Sequence, residues 1–181
     1  FPIRIRCNAR KFLTVALRKI PDGQTVHSKC QQQKGQNDMV YENPAEEKLQ
    51  TEHLTCVVYK NGRMYSREGI GVRPLMACLG EDAHFFEGAC VADKVVGKAA
   101  ALLIVYGGGA EAVYGGVMSD SAIRILEERH IPYRYGERVA YIQNRTHTGM
   151  CPLEEAVADT DDPSEAFAAL KRRIAELMAN R

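Results

Sequence analysis

Cys90-Val91-Ala92-Asp93-Lys94-Val95-Val96-Gly97-Lys98-Ala99-Ala100-Ala101-Leu102-Leu103 is the stretch on which the fold turns. It reads as a core helix carrying an acid and two lysines near its start. Apolar residues surround the charges on nearly every side, and a helix that is hydrophobic all round belongs in a core. Asp and Lys are seldom fully buried unless paired. On a helix Lys94 and Lys98 share one face, where like charges repel by a few tenths of a kcal/mol. Lys94 also lies near the positive end of the dipole. Gly97 within the helix costs about 1 kcal/mol relative to Ala. Local rules broken this densely are expected at functional sites.

Downstream, Gly107-Gly108-Gly109 ends the helix, as glycine commonly does after a last turn. Neither these glycines nor Gly115-Gly116 follow the spacing of a dinucleotide or phosphate loop. Ala112 to Met118 is an apolar strand. Ser119 or Asp120 caps a helix running to about Arg129. Tyr133 to Arg138 is a strand, and Val139 to Ile142 continues as a short strand or a turn of helix. Asn144 to Met150 is a polar loop leading to Cys151-Pro152, a helix start with Pro at its first position. Asp162-Pro163-Ser164-Glu165 resembles a capping box. Phe167, Leu170, Ile174, Leu177 and Met178 then keep helical spacing, which predicts an amphipathic helix docked on the body.

Upstream, His53 to Tyr59 and Arg63 to Arg67 are strand-like around Asn61-Gly62, a type I′ hairpin signal. Pro74 opens a short helix to about Leu79. Residues 1–50 differ: they are basic, then rich in Gln and Gly, and carry little apolar surface to offset ordering. They are read as a largely irregular arm, with packing on a partner subunit as the sharper alternative. Three segments result: 1–50 the arm, 51–158 an α/β domain, and 159–181 the docked helix. A hairpin followed by strand–helix alternation points to a three-layer α/β/α sandwich with a mixed sheet.

The chain has 181 residues and a formal charge of +1. Residues 1–35 hold eight Lys/Arg and one acid, a net +7, which leaves −6 for the rest. The overall balance favours neither nucleic acid nor membrane. The longest apolar run, Ala99 to Tyr106, is far too short to span a bilayer. The first residues lack the apolar stretch of a signal peptide. Six scattered cysteines form no C-x-x-C and fit a reducing compartment better than a disulfide scaffold. The five histidines do not combine with them at zinc-ligand spacing. A cytoplasmic protein without metal or cofactor is expected.

Two stretches carry candidate chemistry. At the first, helix amides with Lys94 and Lys98 offer an anion site, and Asp93 caps amides or serves as a general acid/base. The competing structural reading has Asp93 as a cap and both lysines reaching outward. At the second, Asn144-Arg145-Thr146-His147-Thr148-Gly149-Met150-Cys151-Pro152-Leu153-Glu154 is a dense polar loop. Arg145, Thr146 and Thr148 suit a carboxylate or phosphate. Cys151, at a helix start, is a candidate nucleophile against the alternative of an inert buried thiol. Cys90 has the same expected geometry in a more apolar setting.

These stretches, with Gly71-Val72-Arg73-Pro74-Leu75, resemble a small prokaryotic family of domains of unknown function with a cytidine-deaminase-like fold. The resemblance runs from about His53 to Val157. It implies a hairpin and then helices on both sides of a five-stranded sheet. The wider deaminase superfamily places H/C-x-E at the start of its second helix and P-C-x-x-C at the start of its third, where zinc activates water. Here the first place reads Val91-Ala92-Asp93 and the second roughly Met118-Ser119-Asp120-Ser121-Ala122. No zinc ligand is expected, and Asp93 stands where the resemblance puts the proton-shuttling Glu.

The resulting expectation is a metal-independent pocket between Asp93–Lys98 and the Asn144–Cys151 loop. It would bind a nucleotide-like or other small anion. Asp93, Lys98 and Cys151 are the candidate catalytic residues. Lys94, Asn144, Arg145, Thr146 and Thr148 are the candidate ligand-binding residues. A non-catalytic sensor or protein-interaction module is the alternative, and an active nucleoside or base deaminase ranks third. A homodimer is expected among its assemblies.

Overall fold

The computed structural model describes residues 43–52 and 54–179. Its elements run α1 (Pro44–Thr51), β1 (Cys56–Lys60), β2 (Arg63–Arg67), α2 (Arg73–Glu81), β3 (Cys90–Val96), α3 (Lys98–Tyr106), β4 (Ala112–Ser119), α4 (Asp120–Glu128), β5 (Tyr133–Val139), α5 (Pro152–Glu155) and α6 (Pro163–Ala179). They form an α/β fold around one mixed sheet in the order β2-β1-β3-β4-β5. β1 is antiparallel to both β2 and β3, whereas β3, β4 and β5 are parallel. Asn61 and Gly62 join β1 to β2 with both residues in the left-handed region, at φ 51° and 77°, as a type I′ turn requires.

The strands alternate between two apolar clusters. Cys56, Val58, Val91 and Val113 face the larger one, built with α2, α3, α4 and α6. Val57, Ala92 and Tyr114 face the smaller, closed by Ala45 and Leu49 of α1. Asn43 caps α1 by accepting from the Ala45 amide, and its Nδ2 donates to the Val91 carbonyl at 3.0 Å. The end of the segment read as an irregular arm is thus a helix fastened to the sheet. Residues 1–42 and His53 lie outside the described residues.

The decisive stretch is not one helix. Residues 90–96 form β3, Gly97 is an N-cap, and the helix begins at Lys98. Lys94 and Lys98 therefore share no helical face, and Lys94 is exposed on a strand. Cys90 sits in the sheet rather than at a helix start. β3 lies between two neighbours with both faces covered, so its sequence lacks the alternation of a half-buried strand. Short apolar runs are ambiguous between helix and strand for that reason. Val91 and Val96 also share one cluster despite their odd separation, and so do their β4 partners Val113 and Met118. Both strands change the side they present in this interval. Asp93 is left buried, with Lys94 and Val95 exposed after it.

The central helix α3 is buried from Lys98 to Ile104. α6 covers it through Ala166 and Leu170, and Tyr106 stacks on Phe167 at 4.4 Å. Asp162 caps α6 by accepting from the Ser164 and Glu165 amides. The reciprocal half of the capping box is relayed through Thr160, which donates to Glu165 and accepts from the Asp162 amide. Among the described residues no strand follows Val139; Gln143 and Met150 form an isolated bridge.

Candidate functional site

Parallel β3, β4 and β5 end along one edge, and the edge beside β3 is where Lys98 begins α3. Gly97 has no side chain with which to cap that helix. The first-turn amides are taken instead by Glu154 of α5. Its Oε2 accepts from the Lys98 amide at 2.8 Å and its Oε1 from the Ala99 amide at 2.9 Å. A Cβ on residue 97 would stand 2.6 Å from the Glu154 carboxyl carbon and closer still to Oε1. Glycine at 97 is therefore a condition for seating the carboxylate.

The Lys98 side chain is closed off in the same way. Nζ donates to the Ala158 carbonyl at 2.8 Å and pairs with Asp161 Oδ1 at 2.9 Å. Arg124 of α4 grips both Asp161 oxygens, at 2.8 and 2.9 Å. One segment, 154–161, thus supplies carboxylates to both the amides and the ammonium of Lys98. Hydrogen bonds from Arg124, then from Lys98, hold the Asp161 carboxyl well below the usual range. Burial raises that of Glu154, against the two amides and the Lys98 charge.

Asp93 faces elsewhere. It stands across from Cys56 in the β1–β3 register, and its Oδ1 accepts from the Val95 amide at 3.0 Å. Burial lifts its carboxyl to about 7, opposed by hydrogen bonds from the Val95 amide, the Cys56 thiol and the Lys94 amide. Burial and the Asp93 charge push the Cys56 thiol up, and burial does the same to Cys78. At the rim of this group Arg67 pairs with Glu81 at 2.6 Å.

The Asn144–Thr148 loop is self-contained. Asn144 Oδ1 accepts from the Thr146 hydroxyl and the Thr148 amide, and Asn144 Nδ2 donates to Thr148 Oγ1. Arg145, Thr146 and Thr148 are exposed. Cys151 is half-buried at the start of α5, with its amide on the Ile142 carbonyl and no side-chain cap bond. Lys98 meets the end of the second sequence stretch through Glu154. Asp93, Lys94 and the loop's polar side chains make their bonds with other partners.

Glu154, Asp161 and Arg124 were not singled out in the sequence. A glycine N-cap was the available signal, because such a helix start needs an acceptor from elsewhere in the chain. That signal is visible only once the helix is known to begin at Lys98.

The zinc chemistry of deaminases finds no fit. Residues 91–93 lie within a strand rather than at a helix start, so Asp93 is not at the superfamily's acid position. The helix starts beside the sheet are Val72-Arg73 for α2, Gly97-Lys98 for α3 and Ser119-Asp120 for α4, where Ser119 caps its own helix by accepting from the Ala122 amide. None of these starts offers a thiol or imidazole. Among the described residues no three His, Cys, Asp or Glu side chains are grouped to hold a metal.

The fold and this edge define a small α/β domain with a five-stranded mixed sheet. The model of TM1506, a domain of unknown function (DUF1893), matches residues 44–174, and the chain belongs to that family. Two solved chains match. One is the crystal structure of a DUF1893 family protein (TM1506) from Thermotoga maritima. It is 23% identical, with a TM-score of 0.63 over 72% of this chain and 85% of that one. At that identity the likeness concerns the fold. No curated protein matches. Among the described residues no helix is long and apolar enough to cross a membrane.

Proposed function

We propose that this domain is a non-catalytic binding module, related in fold to deaminases, that acts through its surface. The supporting observation is the Glu154 carboxylate seated on the Lys98 and Ala99 amides. The anion position at the start of α3 has an internal occupant, and Asp161 neutralises the buried Lys98 beside it. This edge then serves as a latch holding α5 and α6 to the body. Inorganic phosphate and nucleoside monophosphates are expected to leave the melting temperature of the full chain unchanged. Incubation with cytidine or adenosine is expected to release no ammonia. A saturable stabilisation of the wild type that disappears in Lys98→Ala, or ammonia release, would overturn the proposal.

A second reading keeps the small-anion pocket, with a cytoplasmic nucleotide-like ligand and Cys151 or Asp93 in a chemical role. Asp93 favours it, since a buried acid that titrates near neutrality is common at functional sites. In that case ligand binding must displace Glu154, and the phosphate titration repeated on Glu154→Ala decides between the two.

A further inference from the structure

β2 is an edge strand, and β1 is its neighbour in the sheet. Which of its backbone groups face outward follows from the ladder. The Lys94 amide donates to the Thr55 carbonyl, so Thr55, Val57 and Tyr59 turn their backbone groups toward β3. Cys56, Val58 and Lys60 then bond Arg67, Tyr65 and Arg63 of β2. Met64 and Ser66 are left with N–H and C=O pointing away from the sheet, and among the described residues neither has a backbone partner there.

β2 pairs with β1 residue for residue, without a bulge, and it contains no proline. Two devices that commonly blunt an edge are therefore absent. Arg63, Tyr65 and Arg67 share one face of the strand, Met64 and Ser66 the other. Tyr65 is held edge-on against Phe85 at 5.3 Å, while Met64 is 41% exposed. Arg67 is tied to Glu81, whereas Arg63 is exposed and in no ion pair among the described residues. A second copy of the chain is a poor occupant of this edge. Overlapping the whole of β2 on itself, antiparallel about Tyr65, sets Arg63 and Arg67 of the two copies opposite one another at both ends. Like charges directly opposite are destabilising, and the same positions favour acids.

We propose that β2 is a docking edge for an extended acidic peptide segment, which pairs antiparallel to it as a sixth strand. One residue of the segment exchanges hydrogen bonds with Met64, and the residue two before it with Ser66. An apolar residue lies between them beside Tyr65, and acids flank them opposite Arg63 and Arg67. Arg63 carries the greater share of the charge selectivity, because Glu81 already neutralises Arg67. This rests on the reading of the domain as a binding module and names its partner.

The probe is the blocked peptide acetyl-Glu-Thr-Val-Ile-Glu-amide, titrated into the full chain and followed through backbone amide shifts by NMR. Saturable shifts centred on Met64 and Ser66 are expected. N-methylation at the Ile, whose N–H faces Met64, should abolish them; N-methylation at the Val, whose N–H faces away, should not. Replacing both Glu by Lys should weaken binding roughly fivefold, as cross-strand pairs turn from attractive to repulsive. Arg63→Glu, at an exposed position, should reverse that preference. Absence of saturable shifts, equal binding of the Ile-methylated peptide, or no preference for Glu over Lys overturns the proposal. A dimer in sedimentation that Met64→Pro dissolves also overturns it, since the edge then belongs to a second copy. The phosphate and ammonia assays test the binding-module reading separately, so its failure is distinguishable from failure of the docking edge.

Discussion

Removing the Glu154 carboxylate and filling the space at Gly97 perturb one contact from its two sides, so their effects are coupled. Glu154→Ala removes the two carboxylate oxygens that accept from first-turn amides at 2.8 and 2.9 Å. Hydrogen bonds to a charged acceptor contribute about 1.5–3 kcal/mol each, less the cost of desolvating it. Burial has raised the Glu154 pKa, so that cost is substantial here. The net loss is expected at about 2–4 kcal/mol, somewhat above an ordinary lost N-cap at roughly 1 kcal/mol. Gly97→Ala is destabilising for a different reason. Its φ of −98° suits any residue, so the backbone is not strained; the added methyl collides with the carboxylate. Once residue 154 is Ala, that collision is gone and Ala at 97 is expected to be nearly neutral. Urea unfolding of the two single variants and the double variant measures the coupling, expected at about 1–3 kcal/mol. Strictly additive losses would refute the seating of Glu154 against Gly97.

Lys98, Asp161 and the cysteines give three further outcomes. Lys98→Met should lower stability at neutral pH by less than the several kcal/mol of a fully buried broken pair, because Asp161 is 48% exposed and keeps Arg124. In the wild type the Asp161 contribution is present above its ordinary carboxylate range and is lost as pH falls below it, so Asp161→Asn should flatten the acid limb of a stability–pH curve. Alkylation followed by peptide mass mapping should find Cys56 and Cys78, both buried with raised thiols, protected until global unfolding. Half-buried Cys151 should react sooner than either; reaction of Cys56 at its rate would contradict the packing of β1 against α2.

The elements that carried local signals were legible in the sequence. Asn61-Gly62 announced its hairpin, Ser119 and Asp162 their helices, and the glycines after Tyr106 a helix end. From Cys90 to Leu103 the apolar run suggests a single helix, where the fold has a strand followed by a helix. A strand covered on both faces and a core helix give similar apolar runs, and Gly97 looked like a defect in a helix rather than its cap. The candidate site shifts with it. Placing a helix start at Asp93 put it beside Lys94 and Lys98, whereas the fold turns Asp93 toward Cys56 and gives Lys98 to Asp161. Glu154 was out of reach for another reason. It lies 56 residues from Lys98, and no local rule pairs a helix start with an acid on a later turn.

The latch energy bears directly on function. An external anion can reach the Lys98 and Ala99 amides only in molecules where Glu154 has swung away. Apparent affinity is reduced by the fraction of molecules in that open state. If the latch is worth about 2–4 kcal/mol, the open fraction is roughly 3% to 0.1%, since 1.4 kcal/mol is tenfold. A ligand that bound the open site at about 10 μM would then register between roughly 0.3 and 10 mM in the wild type. Weak phosphate binding by the wild type is therefore ambiguous on its own, and Glu154→Ala resolves it. A latched pocket should gain affinity by the same factor that the substitution costs in stability. A purely structural junction should lose stability and gain no ligand. The amides of α3 are the same in both cases, and what distinguishes them is whether the removal of Glu154 exposes a site that the rest of the edge is shaped to use.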